Sequence, residues 1–263
     1  MKVIAEIGSN FKSLTDCLES VRLAKDFGAG AVKFQHFSDQ DLYGRCVPNI
    51  KGCLPDFYLG SIEKEAKAAG VEFMCTAFSP GGYHLVDPLV RCHKIASSEI
   101  TALDILDTVN LFKKPVLLST GGATLLEISI ALEHLRDCDV TIMHCVTDYP
   151  ARVVDFRHMD RLRKVFGDGF KYGYSDHSCD VLNVPYLARS HGAVVIEKHV
   201  NFTDHKDTPD APHSLSGSEF ALMVRHLRGE SSIDETFHPN PNKRQLIALP
   251  NGASGYYRPR DCG

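Results

Sequence analysis

The fold is decided by residues 3–34, VIAEIGSNFKSLTDCLESVRLAKDFGAGAVKF. The apolar run at 3–7 predicts a strand. Ser13 stands where a helix cap is needed, and a helix is expected from Leu14 to about Phe27, with Leu18, Val21, Leu23 and Ala24 forming a stripe for burial. Gly28 and Gly30 end it, and 31–34 reads as a second strand. A strand, a crossover helix and a strand within some thirty residues make a parallel βαβ unit.

The same alternation runs outward along the chain. Helices are expected at 57–69, 103–111, 125–135, 156–166, 181–189 and 218–227, and strands at 72–75, 91–95, 116–118, 140–143, 171–174 and 193–196. A short connection containing Gly and Pro joins the third strand to the fourth. About eight strand-then-helix units demand a parallel sheet, and eight close a (β/α)8 TIM barrel. The rival, an open doubly wound sheet, would carry a glycine-rich phosphate loop, and neither GxGxxG nor GxxxxGK[ST] occurs. The expected organisation is a barrel domain at 1–230 and an irregular C-terminal tail at 231–263. The tail is rich in Pro, Gly and Asn, and Arg244, Arg258 or Arg260 in it could fold back toward an anionic ligand.

Composition narrows the function. The 43% hydrophobic and 24% charged residues are those of a globular protein rather than a disordered or fibrous one. The net charge of −4 argues against a nucleic-acid partner. No apolar run is long enough to span a membrane, and none at the N-terminus reads as a signal peptide. The 9 cysteines, with no CxxC pair, then read as reduced thiols of a cytoplasmic protein.

In such a barrel the active face lies at the C-terminal ends of the strands. Glu6 and Asn10, Lys33 and Gln35, Thr76, Lys94 with Ser97 and Glu99, Ser119 and Thr120, His144, Ser175 with Asp176 and His177, and Glu197 with Lys198 and His199 stand at those ends. A lysine inside an apolar strand is costly unless paired. Lys33 and Lys94, near the hydroxyls of Ser97, Ser119 and Ser175, suggest a phosphate or carboxylate site; the competing reading pairs each with Glu6 or Glu99. His177 and His199, on neighbouring strands, suit a divalent metal, with Asp176 and Glu197 as supporting carboxylates. The competing reading makes them core histidines bonded to backbone.

The strings AEIGSN, GAGAVKFQ, KIASSEI, LSTGGATLLEI, MHCVTDYPA, GYSDHS and IEKHV occur in the order and at the strand positions of the N-acetylneuraminate (sialic acid) synthase family, which the chain resembles over residues 3–227. The resemblance implies a TIM-barrel transferase that condenses phosphoenolpyruvate with an N-acylated amino sugar such as N-acetylmannosamine, giving a 2-keto acid and phosphate with the help of Mn or Mg. It implies that phosphoenolpyruvate lies against Lys33, Thr76, Lys94, Ser97, Ser119 and Ser175, that His177 and His199 hold the metal, and that Glu6, Gln35, Tyr149 and Asp210 face the sugar. Glu99 is implied as an acid/base group beside the enol carbon, and Glu197 close to the metal.

The sequence departs from the family pattern on the sugar side. Asn10 is followed by Phe11 rather than His, Thr147 replaces an Asn, and the segment after the second strand is reduced, with Asn49 as a loose substitute. The family's antifreeze-like C-terminal domain is not found in these residues. The expectation is that phosphoenolpyruvate and metal binding are retained while the acceptor differs. The alternatives are a non-catalytic phosphate-ligand-binding barrel, and an aldolase acting on a sugar phosphate, which would need a second basic cluster. Self-association is expected on the ground that barrel enzymes often form homo-oligomers.

Overall fold

In a computed structural model, residues 1–38, 41 and 52–230 are described. Asn49 and the expected tail with its arginines lie outside them. Eight parallel strands follow in chain order: β1 (Lys2–Gly8), β2 (Ala31–His36), β3 (Glu72–Ala77), β4 (His93–Ile95), β5 (Val116–Ser119), β6 (Val140–Cys145), β7 (Lys171–Asp176) and β8 (Val195–Asn201). Each pairs with the next, and β1 also pairs with β8, so the sheet closes on itself. Helices α1 (Leu14–Asp26), α2 (Asp56–Ala69), α3 (Pro80–Val86), α4 (Leu103–Phe112), α5 (Leu125–His134), α6 (Arg157–Phe166), α7 (Asn183–Ser190) and α8 (Gly217–Arg228) alternate with the strands. The (β/α)8 barrel read from the sequence is the observed fold.

Local chemistry explains the boundaries. Ser13, Thr124 and Ser216 each accept a hydrogen bond from the backbone N–H three residues on. Asp16, Glu127 and Glu219 return the bond, so α1, α5 and α8 begin with capping boxes. Gly70 ends α2 in the left-handed region at φ 70°. The connection expected between the third and fourth strands is instead helix α3. Ser79 caps it and Pro80 opens it at a position whose missing N–H costs nothing, so residues that read as a turn start a helix. β8 runs on to Asn201, beyond the expected end, and a two-residue strand β9 (Leu215–Ser216) pairs alongside it.

Side chains of the strands alternate between two apolar layers. One set, including Ala5, Val32, Phe34 and Ile196, packs outward against the helices. The other points inward: Ile4, Ala31, Met74, Cys92, Leu117, Met143 and Val195 form a separate buried cluster that fills the barrel floor. Gly173 makes that floor possible, since a Cβ there would lie 2.4 Å from Met143 Sδ and 2.5 Å from Val195 Cγ1. No helix among the described residues is long and apolar enough to cross a membrane.

Candidate active site

Two residues further along every strand but β6, where Cys145 stands, the inward positions become polar. Glu6 stands beside Lys33 across β1 and β2, and beside His199 across β1 and β8. Gln35 pairs in register with Thr76, Thr76 with Lys94, and Ser175 with Glu197. Seven strands thus place their chemistry one step above their contribution to the floor.

The deepest set is ionic. Lys33 Nζ lies 2.8 Å from Glu6 Oε2 and 3.7 Å from Glu197 Oε2, and donates to Thr76 Oγ1 at 3.1 Å. Gln35 Nε2 donates to Glu6 Oε1 at 3.0 Å. Lys94 Nζ donates to Ser119 Oγ at 2.7 Å and to Ile95 O at 3.1 Å, and its recorded carboxylate neighbour, Glu197 Oε1, is 3.9 Å away. Both lysines are almost wholly buried. Lys33 is therefore paired with Glu6, as one reading of the sequence had it, and with Glu197. Lys94 is paired more loosely, with Glu197 Oε1 at 3.9 Å.

The two carboxylates diverge electrostatically. Burial, reinforced by Glu197 and Asp210, raises the Glu6 carboxyl above its ordinary range even though Lys33 opposes the shift. Burial also acts against ionisation of Glu197, but Lys33 and Lys94 outweigh it and hold this carboxyl low. Burial lowers the Lys94 ammonium, with Lys33 adding repulsion and Glu197 opposing. One carboxyl suited to carry a proton and one fixed as an anion, side by side, is the usual arrangement of acid/base chemistry.

Three imidazoles stand at the mouth. His177 Nδ1 meets Val146 O at 2.5 Å, and Nε2 lies 3.2 Å from the Tyr149 hydroxyl and 3.3 Å from Ser175 Oγ. Ser175 Oγ also donates to Glu197 Oε1 at 3.0 Å. The Tyr149 ring stacks on His177 with centroids 4.1 Å apart and meets His199 and His213 edge-on. His199 Nδ1 is 3.7 Å from Asp210 Oδ2, and His213 Nε2 is 3.5 Å from Asp210 Oδ1. Both nitrogens are buried and lack a hydrogen-bond partner. Two orphaned nitrogen donors flanking a carboxylate fit a divalent ion.

Asp210 reaches this place because Gly8 yields to it. Gly8 has φ +54°, and a Cβ on it would lie 2.0 Å from Asp210 Oδ2. The Ser9 N–H, just beyond, donates to the same oxygen at 2.8 Å.

The expected residues thus gather as follows. Glu6, Lys33, Gln35, Thr76, Lys94, Ser119, Ser175 and Glu197 form the floor network; Tyr149, His177, His199 and Asp210 form the rim. Ser97 is half-buried in the turn after β4. Glu99 is buried in the turn after β4, where its charge acts on Tyr83.

Four expectations are corrected. Asp176 and Lys198 point outward from the barrel, paired at 2.6 Å with both side chains fully buried. The two-residue strand period puts them on the face opposite Ser175, His177, Glu197 and His199, so Asp176 does not support the histidines from within the cavity. His144 is likewise outward, its ring 5.1 Å from that of His158 and 5.5 Å from that of Tyr174. Asn10 is engaged with Val200 O, Ser214 and Thr208, tying the first loop to the last.

The residue missed by sequence reading is His213. It ends a 3-10 turn (Ala211–His213) that follows Asp210. Side chains three apart eclipse in such a turn, so the spacing Asp-x-x-His beside a proline was the available signal.

A closed parallel barrel whose C-terminal mouth holds buried ammoniums, a split pair of carboxylates and an imidazole cluster has the build of a barrel enzyme. Residues 20–236 match the NeuB family, and the chain belongs to it. It is 31% identical over 277 residues to the N,N'-diacetyllegionaminic acid synthase of Legionella pneumophila, covering 93% of this chain and 76% of that protein. It is 30% identical over 253 residues to the pseudaminic acid synthase of Helicobacter pylori, covering 86% and 73%. Among solved structures, the spore coat polysaccharide biosynthesis protein SpsE of Bacillus subtilis superposes with a TM-score of 0.77 at 29% identity, over 87% of this chain and 67% of that one. The N-acetylneuraminic acid synthetase of Leptospira borgpetersenii shares the fold with a TM-score of 0.78 at 24% identity, over 91% and 87%. The chain is thus related to sugar acid synthases.

Proposed function

We propose that this protein condenses phosphoenolpyruvate with an open-chain N-acylated amino sugar, N-acetylmannosamine or a near relative, to give a sialic-acid-like 2-keto acid and phosphate. The observation that carries this reading is the pair of buried ammoniums, Lys33 and Lys94, which share Glu197 at 3.7 and 3.9 Å. Such charges are costly unless anions meet them, and a phosphoenolpyruvate oxygen would supply one. Thr76, Ser97, Ser119 and Ser175 surround the same space with further donors.

In the reaction, C3 of the enol ester forms a bond to the aldehyde carbon of the sugar. The electron pair of the enol double bond makes that bond and leaves C2 cationic. Water adds at C2, and the tetrahedral adduct breaks its C–O bond to release phosphate. Glu6, whose carboxyl is held high, delivers a proton to the sugar oxygen. Glu197 stays anionic and stabilises the cation at C2 together with the ordered hydroxyl of Ser175. Glu99 takes the proton of the attacking water. Gln35, Tyr149 and Asp210 orient the sugar, and fixing both reactants over one floor supplies much of the rate. A divalent ion, Mn or Mg, held at the imidazole cluster that includes His177 and His199, would supply Lewis acidity toward the aldehyde when bound.

The test is phosphate release from phosphoenolpyruvate with Mn(II) and a panel of aldoses, beside calorimetry of phosphoenolpyruvate alone. Turnover with at least one N-acylated aldose, and loss of phosphoenolpyruvate binding in Lys94→Met, are expected. Binding without release on any aldose would favour the non-catalytic barrel. Absence of binding would end both readings.

A further inference from the structure

The loop at 202–214 carries Asp210 to the mouth, and its own regular structure is a single 3-10 turn. It is held in place by the first loop. The side chain of Asn10 is fully buried and every polar atom in it is engaged. Its Nδ2 donates to Val200 O at 3.1 Å and to Ser214 Oγ at 2.8 Å, and its Oδ1 accepts from Thr208 Oγ1 at 2.8 Å. Ser214 Oγ passes the contact on by donating to Asp210 O at 2.7 Å. Ser9 grips the same residue twice: its N–H donates to Asp210 Oδ2 at 2.8 Å, and its Oγ accepts from Asp210 N at 3.1 Å. We propose that Asn10 is a positioning residue that latches this strap through Thr208 and Ser214, fixes Asp210 over the mouth, and so serves the acceptor half of the reaction rather than the phosphoenolpyruvate half.

An amide is the group the place requires. Two oxygens need donors and one hydroxyl needs an acceptor, and a carboxylate of the same shape would face the Val200 carbonyl with no proton to give. The outer ties of the strap, His205 to Asp16 at 3.1 Å and Lys12 to Asp207 at 2.6 Å, are partly exposed and weak by comparison with buried bonds that leave an unmet group when broken. The strap is separate from the anion floor. Lys33 and Lys94 bond to Thr76, Ser119 and Ile95 and pair with Glu6 and Glu197, none of which belongs to it. Phe11, the next residue, turns the other way and packs edge-on against Phe34, with ring centroids 6.3 Å apart. Position 10 therefore serves the mouth and position 11 the helix layer.

The role given to Asp210 rests on the proposed function; the latch rests on the hydrogen bonds alone, and the test separates the two. Asn10→Ala and Ser214→Ala are made in the full chain and checked for folding by urea unfolding, with Phe11→Leu as a control that loosens the neighbouring core and leaves the strap intact. Hydrogen exchange read by mass spectrometry needs no turnover: peptides within 202–214 should exchange about tenfold faster or more in Asn10→Ala, those of β6 and β7 should not change, and Phe11→Leu should leave the strap as it was. In phosphate release at saturating Mn(II), the acceptor KM should rise about tenfold in both strap variants while the calorimetric dissociation constant of phosphoenolpyruvate stays within about twofold. Should Asn10→Ala not fold, Thr208→Val removes one of the three bonds and carries the same comparison. Unchanged exchange of the strap in a folded variant overturns the latch. An unchanged acceptor KM, or phosphoenolpyruvate affinity that falls as far as the acceptor KM rises, overturns the positioning role. If no aldose is turned over, the synthase reading fails and the exchange experiment still decides the latch.

Discussion

Replacing Lys198 with methionine tests how the active mouth is held from outside. Lys198 Nζ is fully buried and donates to Asp176 Oδ2 at 2.6 Å, Ser178 O at 2.7 Å, Asp180 O at 3.0 Å and Ser178 Oγ at 3.2 Å. Methionine keeps the bulk and removes the charge. It leaves a buried carboxylate and two carbonyls without their donor. Truncating one partner of a buried ion pair costs about 3–5 kcal/mol, and for a chain of this size each kcal/mol moves the melting temperature by roughly 2–4 °C. A drop of about 6–20 °C is therefore expected in differential scanning calorimetry, with a matching loss in urea unfolding. The double variant Lys198→Met/Asp176→Leu removes both charges and should recover much of the loss. Because Asp176 and Ser178 bracket His177, the single variant should also disorder the rim and weaken phosphoenolpyruvate binding. A single-variant cost below about 1 kcal/mol, or a double variant no better than the single, would refute the reasoning.

Other changes have equally definite outcomes. Gly8→Ala forces a side chain onto φ +54° and into Asp210; a loss of about 1–2 kcal/mol from the backbone alone is expected in urea unfolding. Ser119→Ala removes the 2.7 Å acceptor of Lys94 and should weaken phosphoenolpyruvate binding by calorimetry, by about 1–3 kcal/mol. Burial, with His158 and His177 adding repulsion and Asp155 opposing, pushes the His144 imidazolium down to about 3 from 6.5. The unfolded chain then binds a proton that the folded chain refuses, so stability is complete above pH 6.5 and declines as pH falls toward 3; by pH 5 this group alone removes about 2 kcal/mol. His144→Phe should flatten that acid limb in pH-dependent unfolding, and an unaltered slope would show that the ring is solvated.

Much of this was legible because parallel strands covered on both faces read as short apolar runs, and because glycines and helix caps punctuate them. The lysines in AVKFQ and HKIAS, and the histidines in YSDHS and IEKHV, stood out as polar breaks in those runs. What could not be read was direction. In IEKHV, Glu197 and His199 line the mouth while Lys198, flanked by both, is buried outside with Asp176; a run apolar on both faces carries no sign of which parity is inward. Helix α3 was hidden by its own opening residues, SPGG, which read as a turn until Ser79 is seen to cap them. His213 escaped because its partners, His199 and Asp210, come together only through the path of the last loop.

Among the described residues, the filled floor closes the chamber from beneath. On that side, whatever rests against Lys33 and Lys94 has no path, and it comes and goes through the mouth where the imidazoles and Tyr149 stand. Traffic through such a blind well follows the rule of a stack: the deeper guest is first to enter and last to depart.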